Sequence, residues 1–396
     1  MRCFSFLLTL LFLSSAARPQ NPLTGHLVYQ TPGMQLVKVK EDNTYKNIHD
    51  TALKFDIYYP QNNNAANLLP LVIFNNGVGG MELPKWGIYK DWGRLIAASG
   101  MIAINYQARQ GHTLEDGEAL IDFVINNSTR LGVDTNKIGL WTCSANTPTG
   151  TRLAFKTRAQ NIKVLIIYYG VMDSLGELRQ DLPVLLVRAG LDGQFINIGI
   201  EDFVQSALQQ DVRLQFINYL HGMHAFDAFT NTEESKAIIL QTVAFLKKNL
   251  SSPVTDTQFT ITNRNYMYLA MHGQIHKAVN EFRKARIKYG ADSSYSRFYN
   301  AVLREDVLNT NAYWLLRHDK LDEALETFKL VVETYPQSPN AYDALADYYD
   351  AAGNKEDALK NAQAALQKLE TVTGIDTDVK ERIRTSAMQK INRLKQ

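Results

Sequence analysis

The run Lys137-Ile138-Gly139-Leu140-Trp141-Thr142-Cys143-Ser144-Ala145-Asn146 decides how the first part of the chain folds. It reads as a short apolar strand that stops abruptly in small and polar residues. A helix is predicted from about Thr147, with Pro148 in its first turn, where a missing N–H is tolerated. A serine on so sharp a strand-to-helix turn presents its hydroxyl at the carboxyl edge of a sheet, as a nucleophile elbow does. The common Gly-x-Ser-x-Gly spelling is absent, because Thr142 and Asn146 stand in the glycine positions. A serine after a buried strand also serves as a helix cap. The rest of the chain has to choose between the two readings.

Outward from this run, residues 21–250 alternate strands and helices. Leu53–Tyr59 alternates apolar and polar residues, as a half-exposed strand does. Leu69–Phe74, Met101–Tyr106, Val164–Tyr169 and Pro183–Val187 are near-continuous apolar runs, which suits strands covered on both faces. A last strand is expected over Leu214–Tyr219. Helices are expected near Trp86–Ser99, over Glu115–Asn126, after the elbow to about Thr157, and over Glu233–Leu246. Repeated units of this kind make a parallel sheet with helices on both faces, whose sites form beyond the carboxyl ends of the strands.

Chemistry-bearing residues fall at those ends. Ser144 ends one strand, Asp192 follows the Pro183–Val187 strand, and His224 follows the Leu214–Tyr219 strand. The order serine, acid, histidine is the one α/β-hydrolases use. Serine needs an imidazole to take its proton, and the imidazole needs a carboxylate to orient it and stabilise its cation. Asp173 and His221 are rival candidates for acid and base. Oxyanion donors are expected from the backbone of Ala145 and from Gly77 or Val78, in the loop Asn75-Asn76-Gly77-Val78-Gly79-Gly80. Trp86, Trp92, Tyr106 and Phe226 are aromatic candidates for an acyl pocket. The eight histidines show no metal-ligand spacing, and no glycine cluster matches a phosphate loop, so neither metal nor cofactor is expected.

Asp134-Thr-Asn-Lys-Ile-Gly-Leu-Trp-Thr-Cys-Ser144-Ala, Leu186-Val-Arg-Ala-Gly-Leu-Asp192 and Gly222-Met-His224-Ala-Phe226-Asp227 together resemble an α/β-hydrolase of the dienelactone-hydrolase-like branch. The resemblance covers about residues 50–250. It implies Ser144 as nucleophile, Asp192 as acid and His224 as base, in an esterase acting through an acyl-enzyme. The chain departs from the pattern at Thr142 and Asn146, and at Asn76, where a histidine is usual beside the oxyanion glycine. Some members of the branch use cysteine, but strand alternation turns Cys143 away from Ser144 and into the core.

At 396 residues, with a formal net charge of +2 and 45% hydrophobic residues, the chain suits two ordinary globular domains and offers no charge argument for nucleic acid. Met1–Ala17 has one positive charge, a short apolar run and small residues, which reads as a signal peptide cut after Ala17 and predicts export to the periplasm or outside. No later stretch approaches the roughly 18 apolar residues of a membrane span. Cys3 would leave with the signal, so Cys143 would be alone.

Residues 251–264 have linker composition, and 265–396 is expected to be helical. Asp322-Glu-Ala-Leu-Glu-Thr-Phe328 is echoed by Glu356-Asp-Ala-Leu-Lys-Asn-Ala362, with Ala324 and Ala358 34 residues apart, and a weaker copy begins at Gly273. This resembles tetratricopeptide repeats. The resemblance implies a protein or peptide partner, or self-association. Val379, Ile383, Met388, Ile391 and Leu394 should line a capping helix. The function expected is ester hydrolysis; the alternative is an inactive hydrolase-fold adaptor working through its repeats. The intact surroundings of Asp192 and His224 favour the enzyme.

Overall fold

The computed structural model describes residues 25–62, 67–77, 81–251, 263–289 and 304–395. The expected signal peptide, Val78 and most of the 251–264 linker lie outside these residues. The chain divides into two compact units, residues 1–208 with 212–254, and 255–396 with 209–211.

The first unit is built on eight strands: β1 Lys38–Ile48, β2 Thr51–Tyr59, β3 Leu69–Asn75, β4 Ile102–Tyr106, β5 Val133–Cys143, β6 Ile162–Tyr168, β7 Val184–Ala189 and β8 Leu214–Tyr219. They form one sheet in the order β1-β2-β4-β3-β5-β6-β7-β8. The pairs β1/β2 and β2/β4 are antiparallel, and every other pair is parallel. This mostly parallel sheet, with helices on both faces, is an α/β-hydrolase architecture.

Alternation explains the apolar runs. Leu71 and Ile73 of β3 face Leu120 and Ile121 of α2 (Thr113–Asn126) and Ile200 and Phe203 of α5 (Gln194–Gln209). Val72 and Phe74 share the opposite core with Trp92 and Leu95 of α1 (Gly87–Ala98) and Ile239 and Leu246 of α7 (Glu233–Ser251). A strand buried on both faces has no polar side to show. Between α2 and α5 the chain forms α3 (Ser128–Leu131) and α4 (Thr147–Arg152), which continues into a π turn, Leu153–Thr157. The short α6 (Phe226–Phe229) precedes α7.

Besides the short α3 and α6, two longer elements were not anticipated. β1 is a sheet edge with mostly exposed and partly buried residues, and its pairing with β2 shifts register twice, so its polar run carries almost no apolar signal. Helix α5 buries Ile196, Ile200, Phe203 and Ala207 at helical spacing. Exposed Phe195 and Ile198 blur that stripe in the sequence.

The second unit is helical as described: α8 Asn263–Met271, α9 Ile275–Tyr289, α10 Glu305–Arg317, α11 Leu321–Thr334, α12 Pro339–Ala351, α13 Lys355–Thr371 and α14 Thr377–Leu394. α10 packs on α11 and α12 on α13. The starts of α10 and α12 are 34 residues apart, as are those of α11 and α13. Ala324 and Ala358, the echoed pair, are both fully buried. The expected stripe of the last helix needs one correction, because Met388 is 49% exposed. α14 instead buries Ile383, Ala387 and Lys390, the lysine held by Asp343 at 2.8 Å and Asp347 at 2.6 Å. A long lysine stem packs like an aliphatic residue when carboxylates meet its head.

Candidate active site

β5 ends at Cys143 and the chain turns at once. Ser144–Asn146 makes a single tight turn, and α4 follows. Ser144 has φ 54°, in the left-handed region, a conformation that costs a non-glycine residue on the order of 1–3 kcal/mol and persists only where its surroundings impose it. Its carbonyl accepts the Val171 N–H at 3.0 Å.

Ser144 Oγ lies 2.9 Å from His224 Nε2, and His224 Nδ1 lies 2.7 Å from Asp192 Oδ2. A carboxylate only accepts, so Nδ1 carries the proton and Nε2 is left to accept from the serine hydroxyl. The Asp192 side chain is 5% exposed and that of His224 is 40% exposed, so the acid is shielded while the base faces solvent. The Gly193 N–H also donates to Asp192 Oδ1 at 2.7 Å.

The two loops that carry acid and base are stitched together beyond the ends of β7 and β8. Gly190 N–H donates to Tyr219 O at 2.7 Å, and Leu191 N–H donates to Gly222 O at 2.9 Å. A Cβ at Gly190 would stand 2.2 Å from Leu220 O, so only glycine allows this approach. The rival candidates do not join the cluster. Asp173 accepts instead from Arg152, at 3.1 Å, and His221 is exposed and bonds neither Ser144 nor Asp192.

Thr142 and Asn146 are built into the elbow. Asn75, at the end of β3, donates to Thr142 Oγ1 at 3.0 Å and to Asn146 O at 2.9 Å. Asn146 donates back to Asn75 Oδ1 at 3.0 Å and to Asn76 O at 2.8 Å, and Tyr106 OH donates to Asn75 Oδ1 at 2.8 Å. Room for the Thr142 side chain comes from Gly150 of α4, where an added Cβ would lie 2.5 Å from Thr142 Cβ. The space usually left by an elbow glycine is supplied from the facing helix.

The expected burial of Cys143 holds, while other expectations change on inspection. Cys143 is buried against Tyr89 OH at 3.7 Å, and burial pushes its thiol well up, which suits a packing residue and not a thiolate. Trp92 and Phe226 are fully buried core residues, and Trp86 stacks on Tyr89. Of the four aromatic candidates, Tyr106 lines the pocket beside the elbow. Among the expected oxyanion donors, Ala145 follows Ser144 and borders that same pocket. Gly77 is adjacent, with an added Cβ 3.5 Å from Ser144 Cβ, but its N–H donates to Tyr89 OH at 3.1 Å. Val78 is outside the described residues.

Two side chains behind the histidine were not singled out for a role in the sequence. The Tyr169 ring stands 4.8 Å from that of His224, and Tyr169 OH donates to Asp227 Oδ1 at 2.7 Å. Asp227 is fully buried and also accepts from Trp92 Nε1 at 2.8 Å. Burial raises its carboxyl above the usual range against the pull of those two bonds. The signal for this support was faint: a tyrosine pair at the end of a strand, and an aspartate three residues past the histidine.

Among the described residues, no group of three or more His, Cys, Asp or Glu side chains is placed to hold a metal ion, and no helix is long and apolar enough to cross a membrane.

No family model matches the chain, and no curated protein matches it. Solved structures do. An esterase of Rhizomucor miehei aligns at TM-score 0.45 and 15% identity, over 54% of this chain and 84% of that one. Esterase LipW of Mycobacterium marinum gives 0.46 and 14%, over 55% and 83%. The esterase of Pyrobaculum calidifontis gives 0.45 and 18%, over 54% and 83%. All three are distant likenesses, and the chemistry available at Ser144 rests on its own surroundings.

Proposed function

We propose that the first unit is a serine hydrolase that cleaves carboxylic esters through an acyl-enzyme. The observation that carries this reading is the continuous chain from Ser144 Oγ to His224 Nε2 at 2.9 Å and from His224 Nδ1 to Asp192 Oδ2 at 2.7 Å. Ser144 Oγ attacks the ester carbonyl while His224 Nε2 takes its proton, and Asp192 stabilises the imidazolium. The oxyanion develops beside Ala145 and the Gly77 loop, where one backbone donor contributes on the order of 3 kcal/mol to the transition state. The imidazolium then gives its proton to the departing alcohol. Water, deprotonated by His224, attacks the acyl-enzyme and frees the acid.

Within α/β-hydrolases, the dienelactone-hydrolase-like branch remains our reading, supported by the surroundings of Asp192 and His224. Export after Ala17 is supported by the apolar run of the first residues. The paired helices at a 34-residue offset favour a tetratricopeptide-like second unit that binds a protein or peptide. The test is labelling of the purified full chain with a fluorophosphonate probe. Labelling should occur at Ser144 and disappear in Ser144→Ala. Labelling elsewhere, or none, overturns the proposal and returns the chain to the adaptor reading.

A further inference from the structure

We propose that Tyr169 and Asp227 are positioning residues for His224: the Tyr169 ring, pinned through its hydroxyl by the Asp227 carboxylate, is the wall that keeps the imidazole in line while Ser144 is acylated. The inference rests on the esterase reading and concerns the same site. Before reaction two hydrogen bonds hold His224, one with Ser144 at Nε2 and one with Asp192 at Nδ1. Acylation removes the first, because an ester oxygen has no proton to give. The imidazole then keeps its Asp192 bond at one edge, on a side chain that is 40% exposed. Deacylation still needs Nε2 aimed at a water beside the acyl carbonyl. A contact on the ring itself is what can keep it from turning.

Tyr169 supplies that contact. It directly follows β6, and its ring centroid lies 4.8 Å from that of His224 at an interplanar angle of 57°. Phe226 meets the same tyrosine ring edge-on at 5.7 Å. Tyr169 is itself fixed: it is buried, its N–H donates to Val187 O of β7 at 2.9 Å, and its φ of 37° lies in the left-handed region, which persists only where the surroundings impose it. Its hydroxyl donates to Asp227 Oδ1 at 2.7 Å. Asp227 is held in turn, with Trp92 Nε1 donating to Oδ2 at 2.8 Å and the Val28 N–H donating to its backbone carbonyl at 2.8 Å. The carboxylate is fully buried and bonded by a tyrosine and a tryptophan, neither of them a cation. Burying a charge on those terms is costly, so stability alone gives no reason for it. A hydrogen bond to an ionised acceptor is roughly twice as strong as a neutral one, which makes Asp227 a stiff pin for the tyrosine.

The test is turnover of 4-nitrophenyl acetate per active site by the full chain, with sites counted by fluorophosphonate labelling carried to completion. Tyr169→Phe keeps the ring and removes the pin, and should lower kcat per site by about tenfold with KM unchanged or lower. Tyr169→Leu removes the wall, and should lower kcat per site by about a hundredfold. Asp227→Asn keeps the pin, because its amide oxygen can accept from Trp92 while its amide nitrogen donates to the Tyr169 hydroxyl. That variant should stay within about threefold of the parent. Should Tyr169→Leu fail to fold, the other two variants decide. A merely structural role for Tyr169 would reduce the number of labelled sites and leave the rate per site unchanged. That result, or a loss in Asp227→Asn as large as in Tyr169→Phe, overturns the positioning assignment while labelling of Ser144 in the parent keeps the esterase reading. A parent that takes no label and turns over no ester overturns both proposals.

Discussion

At the scale of single residues, two carboxylates work in opposite settings. Asp192 is shielded, bonded to the Gly193 N–H and to His224, and fixes which imidazole nitrogen carries the proton. Asp192→Asn keeps the shape but can present an N–H to Nδ1, which turns the base to the wrong tautomer. A loss of about 10⁴ in kcat is expected, measured on any turned-over 4-nitrophenyl ester, with little change in melting temperature. Asp116, on α2 and outside the triad, is fully buried and bonded by Lys46 at 2.8 Å and by Arg109 at 2.8 and 2.9 Å. Burial alone would raise its carboxyl, but the bonds from Arg109 and Lys46 outweigh it and hold it below the usual range. A carboxylate depressed in the fold contributes stability above its unfolded value, near 3.8, and loses it as pH falls through the lower folded value. Asp116→Asn should therefore cost about 2 kcal/mol at neutral pH, modest because both cations are partly exposed. The gap from the parent should close below roughly pH 4 in acid denaturation.

At the scale of elements, the elbow works as a joint between β5 and α4. Gly150 gives up helix stability so that Thr142 fits beneath it. Gly150→Ala should gain up to about 1 kcal/mol in helix propensity yet lose about 1–3 kcal/mol by overpacking on Thr142. Net destabilisation in urea unfolding is the expected outcome. Combining it with Thr142→Gly should recover most of the clash, giving a coupling of about 1 kcal/mol or more in the double-mutant cycle. Independent effects would mean the two residues do not share that space. The joint also shows how far residues alone could be read. β5, the turn at Ser144 and α4 were legible because an apolar run ended in small residues and a first-turn proline. The role of Gly150 was not, because nothing local links a helical glycine to a threonine eight positions earlier until the helix folds back over the strand.

At the scale of the whole molecule, each compact unit has its own core. The residues of the two sheet-face cores run from Leu27 to Leu250, and those of the helical cores from Tyr266 to Ile391. A chain ending at Val254 should fold and keep fluorophosphonate labelling at Ser144, read by gel fluorescence against the full chain. Loss of labelling in a folded truncation would mean that the second unit contributes to the site. By itself, the sequence determined the alternation of buried strands with helices, the 34-residue offset of the helical pairs, and the order of Ser144, Asp192 and His224. These are local periodicities and chain order, which need no knowledge of what lies across space. Only the tertiary structure decided that Asp192 and not Asp173 meets His224, and that Trp92 and Phe226 belong to the core. It alone showed that Gly77 spends its N–H on Tyr89, and that the buried Asn76 amide has no hydrogen-bond partner among the described residues. Those outcomes depend on which strand ends become neighbours in the sheet and on the room between their loops, and both are set by packing between residues distant in the chain.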